Sequence, residues 1–243
     1  VEPRDFDAAE QVLLEADFAD CRPVWYSSNY VYLVVLRHPS EGDVLGIYKP
    51  HRGEAPLWDF PDGALYRREV AAYRFARAAG WGFVPPTVVR EGPHGIGAVQ
   101  LFIAHDPHLH YFEQRERPEL TEQLQRIVLF DAITNNADRK AGHLLLDEAG
   151  RVWGIDHGLC FHVQHKLRTV MWDWAGEPIP PALKAELAAV VAGLALGAGA
   201  FEPVRLLLRP EEYEATLRRA KALLEQGRFP LPGPHRSYPW PLV

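Results

Sequence analysis

Cysteine is scarce, with only Cys21 and Cys160 in 243 residues. One pair makes no disulfide framework, and without C-x-x-C spacing no thiolate metal site is expected. A reducing, cytoplasmic setting is therefore the default. Lysine is nearly as rare, with 5 residues against 21 arginines, so each lysine carries more information than an arginine. Positive charge is not in excess either: 26 basic against 32 acidic residues give a net charge of −6. Composition forces no basic face, and no nucleic-acid partner is expected. The longest apolar stretch, residues 188–200, falls short of the roughly 20 residues a bilayer span needs, so no transmembrane segment is expected. No basic-then-apolar leader opens the chain, which argues against a signal peptide. The G-x-x-x-x-G-K-[ST] and G-x-S-x-G patterns are missing, so P-loop NTPase and serine-hydrolase readings lack their key feature.

What the chain does have is core-forming material: 47% hydrophobic and 11% aromatic residues. That excludes a disordered protein. Apolar spacing predicts a short leading helix over 6–18. Residues 25–36 are aromatic and β-branched, hence a strand, interrupted by Ser27-Ser28-Asn29; with 44–50 they make a hairpin. After a Gly/Pro-rich loop, 64–79 reads as a helix stopped by Gly80. Short strands are predicted at 84–90 and 97–103, a helix at 118–133, short strands at 143–147 and 151–155, and helices at 181–194 and 210–226. The tail 229–243, with five prolines, reads as an extended strap. Strands with one helix come first, then mostly helices. That order predicts an α+β protein of two lobes joined near 103–118, with a cleft between them.

The chemistry-bearing stretch runs from Asp131 through Asp138-Arg-Lys140 to His143, followed by Gly154-Ile-Asp156-His-Gly158. A hairpin sets its open ends side by side, so His143 and Asp156 can converge, with Asp138 leading in. Phosphoryl transfer uses such a set, one carboxylate orienting the attacking hydroxyl and another holding magnesium. Gly158 is expected to supply the backbone freedom for the turn. For any single Asp, local turn hydrogen bonding explains the residue equally well. The histidine cluster of His105, His108 and His110 lacks H-x-x-x-H spacing and reads as a loop rather than a zinc site. Residues 162–174, with Lys166, Arg168 and two tryptophans, suit either an anionic or amphipathic substrate or a packed covering loop.

The segments D-R-K-x-x-H and G-I-D-H-G-L-C-F resemble the catalytic loop and metal-binding motif of the phosphatidylinositol 3-/4-kinase-like superfamily, whose usual forms are D-R-x-x-x-N and I-D-x-G-L-x-F. That superfamily includes type II phosphatidylinositol 4-kinases and HipA-type bacterial kinases. The resemblance implies a two-lobed protein-kinase-like fold, with a small β-rich N-lobe over 1–103 and a mostly helical C-lobe over 104–243. It implies ATP and Mg2+ as cofactors and a protein, lipid or small-molecule hydroxyl as acceptor. Asp138 would be the catalytic carboxylate, with Lys140 against the γ-phosphate. Asp156 would be the principal metal ligand. His143 stands where the family has an Asn that binds the second metal, and imidazole is a poor ligand for so hard a cation. Lys49, ending the strand VLGIYKP, would meet the α/β-phosphates and be fixed by Glu69 of the following helix. Ser27, Ser28 and Asn29 would cover the phosphates. Gln100 and Phe102 fall at the inter-lobe hinge, where backbone groups would meet adenine beside Val31, Ile47 and Ile155. A nucleotide-binding pseudokinase and an AMP transferase are the alternatives.

Overall fold

The computed structural model describes residues 5–24, 30–55, 57–60, 64–234 and 236–243. Helix α1 (Phe6–Glu15) opens it, with the Asp5 carboxylate accepting from Ala8 N–H at its N-terminus. Strands β1 (Asp17–Pro23), β2 (Tyr32–His38), β3 (Gly42–Pro50), β4 (Thr87–Gly92) and β5 (Gly95–Leu101) form one antiparallel sheet in the order β1-β2-β3-β5-β4. Helix α2 (Leu65–Ala78) separates β3 from β4. The rest is mainly helical: α3 (Tyr111–Gln114), α4 (Thr121–Thr134), α5 (Pro181–Leu196), α6 (Glu202–Leu207) and α7 (Pro210–Gln226), with one short hairpin, β6 (Leu144–Leu146) and β7 (Val152–Gly154). This is an α+β architecture, a five-stranded sheet with α1 and α2 followed by a mainly helical part.

Two apolar clusters divide the molecule. One lies beneath the sheet, where Val34, Leu36, Tyr48 and Val99 meet Val12 and Leu13 of α1. The alternating burial of β2 and β3 turns every second side chain to that face. The other gathers α2, α4, α5 and α7 around Phe75, Phe130 and Leu187. Phe130 meets Phe75 and Phe83 edge to face at 5.6 and 5.1 Å. Such pairs contribute about 0.5–1.5 kcal/mol each beyond burial. Leu145 and Trp153 of the β6–β7 hairpin pack into the sheet cluster, which brings the hairpin's open end toward the sheet.

The leading helix is shorter than its periodicity suggests. It stops at Glu15, and Asp17–Pro23 pairs with β2 as an edge strand. DFADCRP shows no strand alternation because an edge strand with one solvent face has little to bury. The short α6 was not anticipated. The tail is extended: Thr169 N–H donates to Ser237 O at 3.0 Å, and Ala141 N–H to Leu242 O at 2.8 Å. Among the described residues no single helix is long and apolar enough to cross a membrane.

Candidate functional site

Lys49 is the penultimate residue of β3, the central strand between β2 and β5. The ladder sets it opposite Ala98, next to Gly97. A Cβ on Gly97 would lie 2.4 Å from Lys49 O, so glycine there permits the close strand approach. The Lys49 ammonium lies 2.5 Å from Glu69 Oε1 and 2.8 Å from Asp156 Oδ1, joining residues 20 and 107 positions away in the chain. Burial by itself drives Lys49 toward the neutral amine; Asp156 and Glu69 more than offset that and its pKa rises. Lys49 in turn holds the Asp156 carboxyl far below the usual carboxylate range, against burial and with help from His143. Glu69, by contrast, is pushed upward by burial, with Lys49 opposing.

Glu69 is 3% exposed on α2, next to Arg68 at 2%. Two adjacent buried charges on one helix need separate partners. Arg68 is paired with Glu212 of α7 and the Cys160 carbonyl, a structural tie. Glu69 turns the other way, to Lys49 and to His157 N–H, which it accepts at 2.9 Å. One carboxylate thus fixes both the cationic side chain and the backbone just after Asp156.

The loop after α4 carries Asp138. Asn135 ends the helix in the left-handed region, φ 58°, and its side chain holds the 162–166 segment through His162 O, Gln164 O and Lys166 N–H. Asn136 accepts Asp138 N–H at 3.0 Å. Asp138 Oδ2 lies 3.3 Å from Lys140 Nζ. Burial raises the Asp138 pKa, with Lys140 opposing and Asp156 adding to the shift. His143 Nε2 faces Asp156 Oδ2 at 3.3 Å. Burial pushes this imidazole down to about 4, opposed by Asp156 and assisted by Arg139, Lys140 and Lys49. His143 is therefore neutral at pH 7. The left-handed turn expected at Gly158 is made at Asp156 itself, φ 61°. Asp is among the few residues other than glycine that tolerate that conformation.

Lys49, Glu69, Asp138 and Asp156 line one cavity, with Val31 and Gly158. Lys140 and His143 are outside that lining but each lies 3.3 Å from one of its carboxylates. Gln100 and Phe102 are not in this lining. Gln100 is turned to β4, donating to Thr87 Oγ1 at 2.9 Å, and Phe102 N–H is used by Leu45 O at 3.0 Å. Ser27, Ser28 and Asn29 lie outside the described residues. Among the described residues no three His, Cys, Asp or Glu side chains gather as a protein-only metal cage, at the histidine cluster or elsewhere. The half-exposed oxygen donor Asp156 suits instead a hard divalent cation held partly by other ligands.

Arg139 and Asp131 fall in the chemistry-bearing stretch of the sequence but carry no assigned role there. Both are fully buried. Arg139 meets the Asp131 carboxylate through Nε at 2.8 Å and Nη2 at 2.9 Å, and donates to Ile155 O at 3.0 Å. Its Nη2 also donates to His157 Nε2 at 2.8 Å, so that nitrogen is the acceptor of a neutral ring. One guanidinium thus ties α4, the Asp138 loop and the Asp156 segment. The available signal was an Asp inside the apolar run of a helix, a charge that needs a buried partner. Lys166, read as a candidate substrate contact, is paired with Asp59 at 2.5 Å, as in a packed covering segment.

The phosphatidylinositol 3- and 4-kinase family model matches residues 89–199. Protein Rv2133c of Mycobacterium tuberculosis is 40% identical, with 80% of this chain and 81% of that protein covered. Phosphatidylinositol 4-kinase gamma 4 of rice (Oryza sativa subsp. japonica) is 32% identical over 49% of this chain. The chain belongs to the phosphatidylinositol 3-/4-kinase-like family. It spans only 24% of the length of the rice protein. A proinflammatory kinase of Helicobacter pylori, CtkA, shares the fold at TM-score 0.52 and 9% identity, with 89% of this chain and 94% of that one covered. Fold and family are those of a kinase-type phosphotransferase.

Proposed function

We propose that this family member is an ATP- and Mg2+-dependent phosphotransferase that moves the γ-phosphate of ATP to a hydroxyl group. The observation that carries the reading is the Lys49 ammonium held between Glu69 and Asp156, in a cavity that Asp138 also lines. Lys49 is assigned to the α/β-phosphates, oriented by Glu69. Asp156, with His143 beside it, would hold Mg2+, which when bound neutralises charge on the phosphates. Asp138 orients the acceptor hydroxyl and takes its proton, a role favoured by the burial that raises its pKa. Lys140 is assigned to the γ-phosphate. Ser27, Ser28 and Asn29 are assigned to the phosphate cover. Adenine is assigned to the inter-lobe segment at the end of β5, Gln100 to Phe102, with Val31, Ile47 and Ile155 as apolar contacts. Rate enhancement then comes from positioning and charge neutralisation.

A second reading, a nucleotide-binding scaffold without transfer, is favoured by His143. It occupies the place of the second-metal Asn, and its ring nitrogen faces Asp156. Transfer of label from γ- against α-labelled ATP separates phosphotransfer from AMP transfer. A thermal shift with ATP and Mg2+ but no transfer of either label favours the scaffold. Asp138→Asn is expected to abolish transfer while ATP still binds, and Lys49→Met to lose ATP binding. Wild-type turnover in both variants overturns the assignment of roles.

A further inference from the structure

We propose that the extended segment 236–243 is a working part of the phosphotransfer site. It positions the loop that carries Asp138, with the carbonyls of Ser237 and Leu242 as the positioning groups. The proposal rests on the phosphotransferase reading above and deepens it.

The loop from Asp138 to His143 is flanked by residues 168–170. Arg139 N–H donates to Arg168 O at 3.0 Å, and Val170 N–H to Arg139 O at 3.1 Å. Those two bonds set Thr169 beside Arg139 as a parallel bridge. Thr169 in turn is held by the tail. Its N–H donates to Ser237 O at 3.0 Å, and Trp172 Nε1 donates to the same oxygen at 3.2 Å. Loop, covering segment and tail are thus three neighbouring runs of bonded backbone. Further along, the tail meets the loop directly, where Ala141 N–H donates to Leu242 O at 2.8 Å. Arg236, next to Ser237, is also one of the charges that oppose the upward push of burial on Asp138.

Ala141 is fully buried, and a buried N–H is nearly always paired. Without Leu242 O that N–H has to reach water or find another acceptor. Either requires the turn at Ala141 to move, and Lys140 and Asp138 precede it by one and three positions.

Apolar burial does not account for where the tail lies. Tyr238, Trp240, Leu242 and Val243 are 50%, 78%, 39% and 57% exposed. Within 236–243 only Ser237 and Pro239 are buried. A segment that buries so little contributes chiefly through its backbone bonds, and opens without global unfolding. None of its residues lines the cavity of Lys49, Glu69 and Asp156. Nucleotide binding and loop alignment are therefore separable, and the tail governs turnover rather than affinity.

Two altered chains test this. One ends at His235. The other, Trp172→Phe, keeps the whole chain and removes one donor from Ser237 O. Turnover is read as phosphate release from γ-labelled ATP with Mg2+, water being the acceptor. Binding is read by calorimetry with a non-hydrolysable ATP analogue, folding by circular dichroism, and the loop by amide exchange at Ala141. The shortened chain is expected to lose at least about tenfold in kcat, because a misplaced catalytic group costs up to about a hundredfold. Its KM for ATP and its Kd for the analogue should stay within about threefold of the full chain. Ala141 exchange should quicken by about tenfold or more. Trp172→Phe should lower kcat and quicken Ala141 exchange several-fold each.

A folded shortened chain with full-chain kcat, or with Ala141 still protected, overturns the proposal. So does a loss that falls on KM and analogue binding with kcat intact. If the shortened chain does not fold, Trp172→Phe decides: unchanged kcat and unchanged Ala141 exchange overturn the positioning role. A full chain that binds the analogue but releases no phosphate overturns the phosphotransferase reading, and this proposal with it.

Discussion

Replacing Arg139 by methionine tests how the catalytic loop is held. The guanidinium and the Asp131 carboxylate are 0% and 1% exposed. Methionine fills much of the same volume but leaves the Asp131 carboxyl in the interior with Asn136 Nδ2, 3.0 Å away, as its remaining side-chain donor. The carbonyl of Ile155 loses its 3.0 Å donor as well. Breaking a buried pair by removing one partner costs about 3–5 kcal/mol. An unpaired buried carbonyl adds about 1–3 kcal/mol, but the two losses share one side chain and do not add. About 3–5 kcal/mol is therefore the expectation. For a chain of this size each kcal/mol moves Tm by about 2–4 °C, so a fall of roughly 6–20 °C follows. Urea unfolding followed by tryptophan fluorescence reads it, since Trp153 is fully buried. The double variant Asp131→Leu/Arg139→Met removes both charges and should recover most of the stability, because a buried pair replaced by apolar groups is often neutral. It should not recover nucleotide-dependent activity, because the tie between the Asp138 loop and Ile155 is still missing. A loss under about 1 kcal/mol for the single variant would refute the reasoning, as would an equal loss in the double variant.

Two other variants probe the frame around the site. Gly97→Ala should destabilise by about 1–3 kcal/mol through overpacking, because the new Cβ would press on Lys49 O and Pro50 Cα at 2.4 and 2.7 Å; ATP affinity, read by a thermal shift titration, should fall with it as Lys49 is displaced. Glu186 has its pKa lowered chiefly by the hydrogen bond from Arg126, against burial, with Trp81 Nε1 assisting. A depressed carboxylate stabilises the fold above its unfolded value near 4.5 and loses that contribution as pH falls through the lower folded value. Glu186→Gln should therefore reduce the urea midpoint at pH 7 but flatten its decline toward pH 3; an unchanged pH slope would sink that account.

Much of the site was readable from residue order. Lys49, Glu69, Asp138 and Asp156 announced themselves by type and sequence order, and the structure brings all four into one cavity. The elements with strong periodicity, such as α2 and α7, fell within a residue or two of expectation. The edge strand β1 did not, because pairing with β2 rather than apolar alternation makes it a strand. Arg139 was hidden for a different reason: a basic residue between Asp138 and Lys140 looks like one more loop charge until burial shows that it spans three segments.

The amino-acid order alone determined which chemical groups were available and how helices and strands would alternate, because periodicity and turn residues act over a few neighbouring positions. Only the tertiary structure decided which charges share a space. Lys49 and Asp156 stand 107 positions apart, yet meet at 2.8 Å. That meeting depends on Leu145 and Trp153 burying the β6–β7 hairpin against the sheet, and on Arg139 anchoring the loop beside it. Burial and long-range pairing convert ordinary acids and a lysine into a coupled set, and neither is a property of any local stretch of chain.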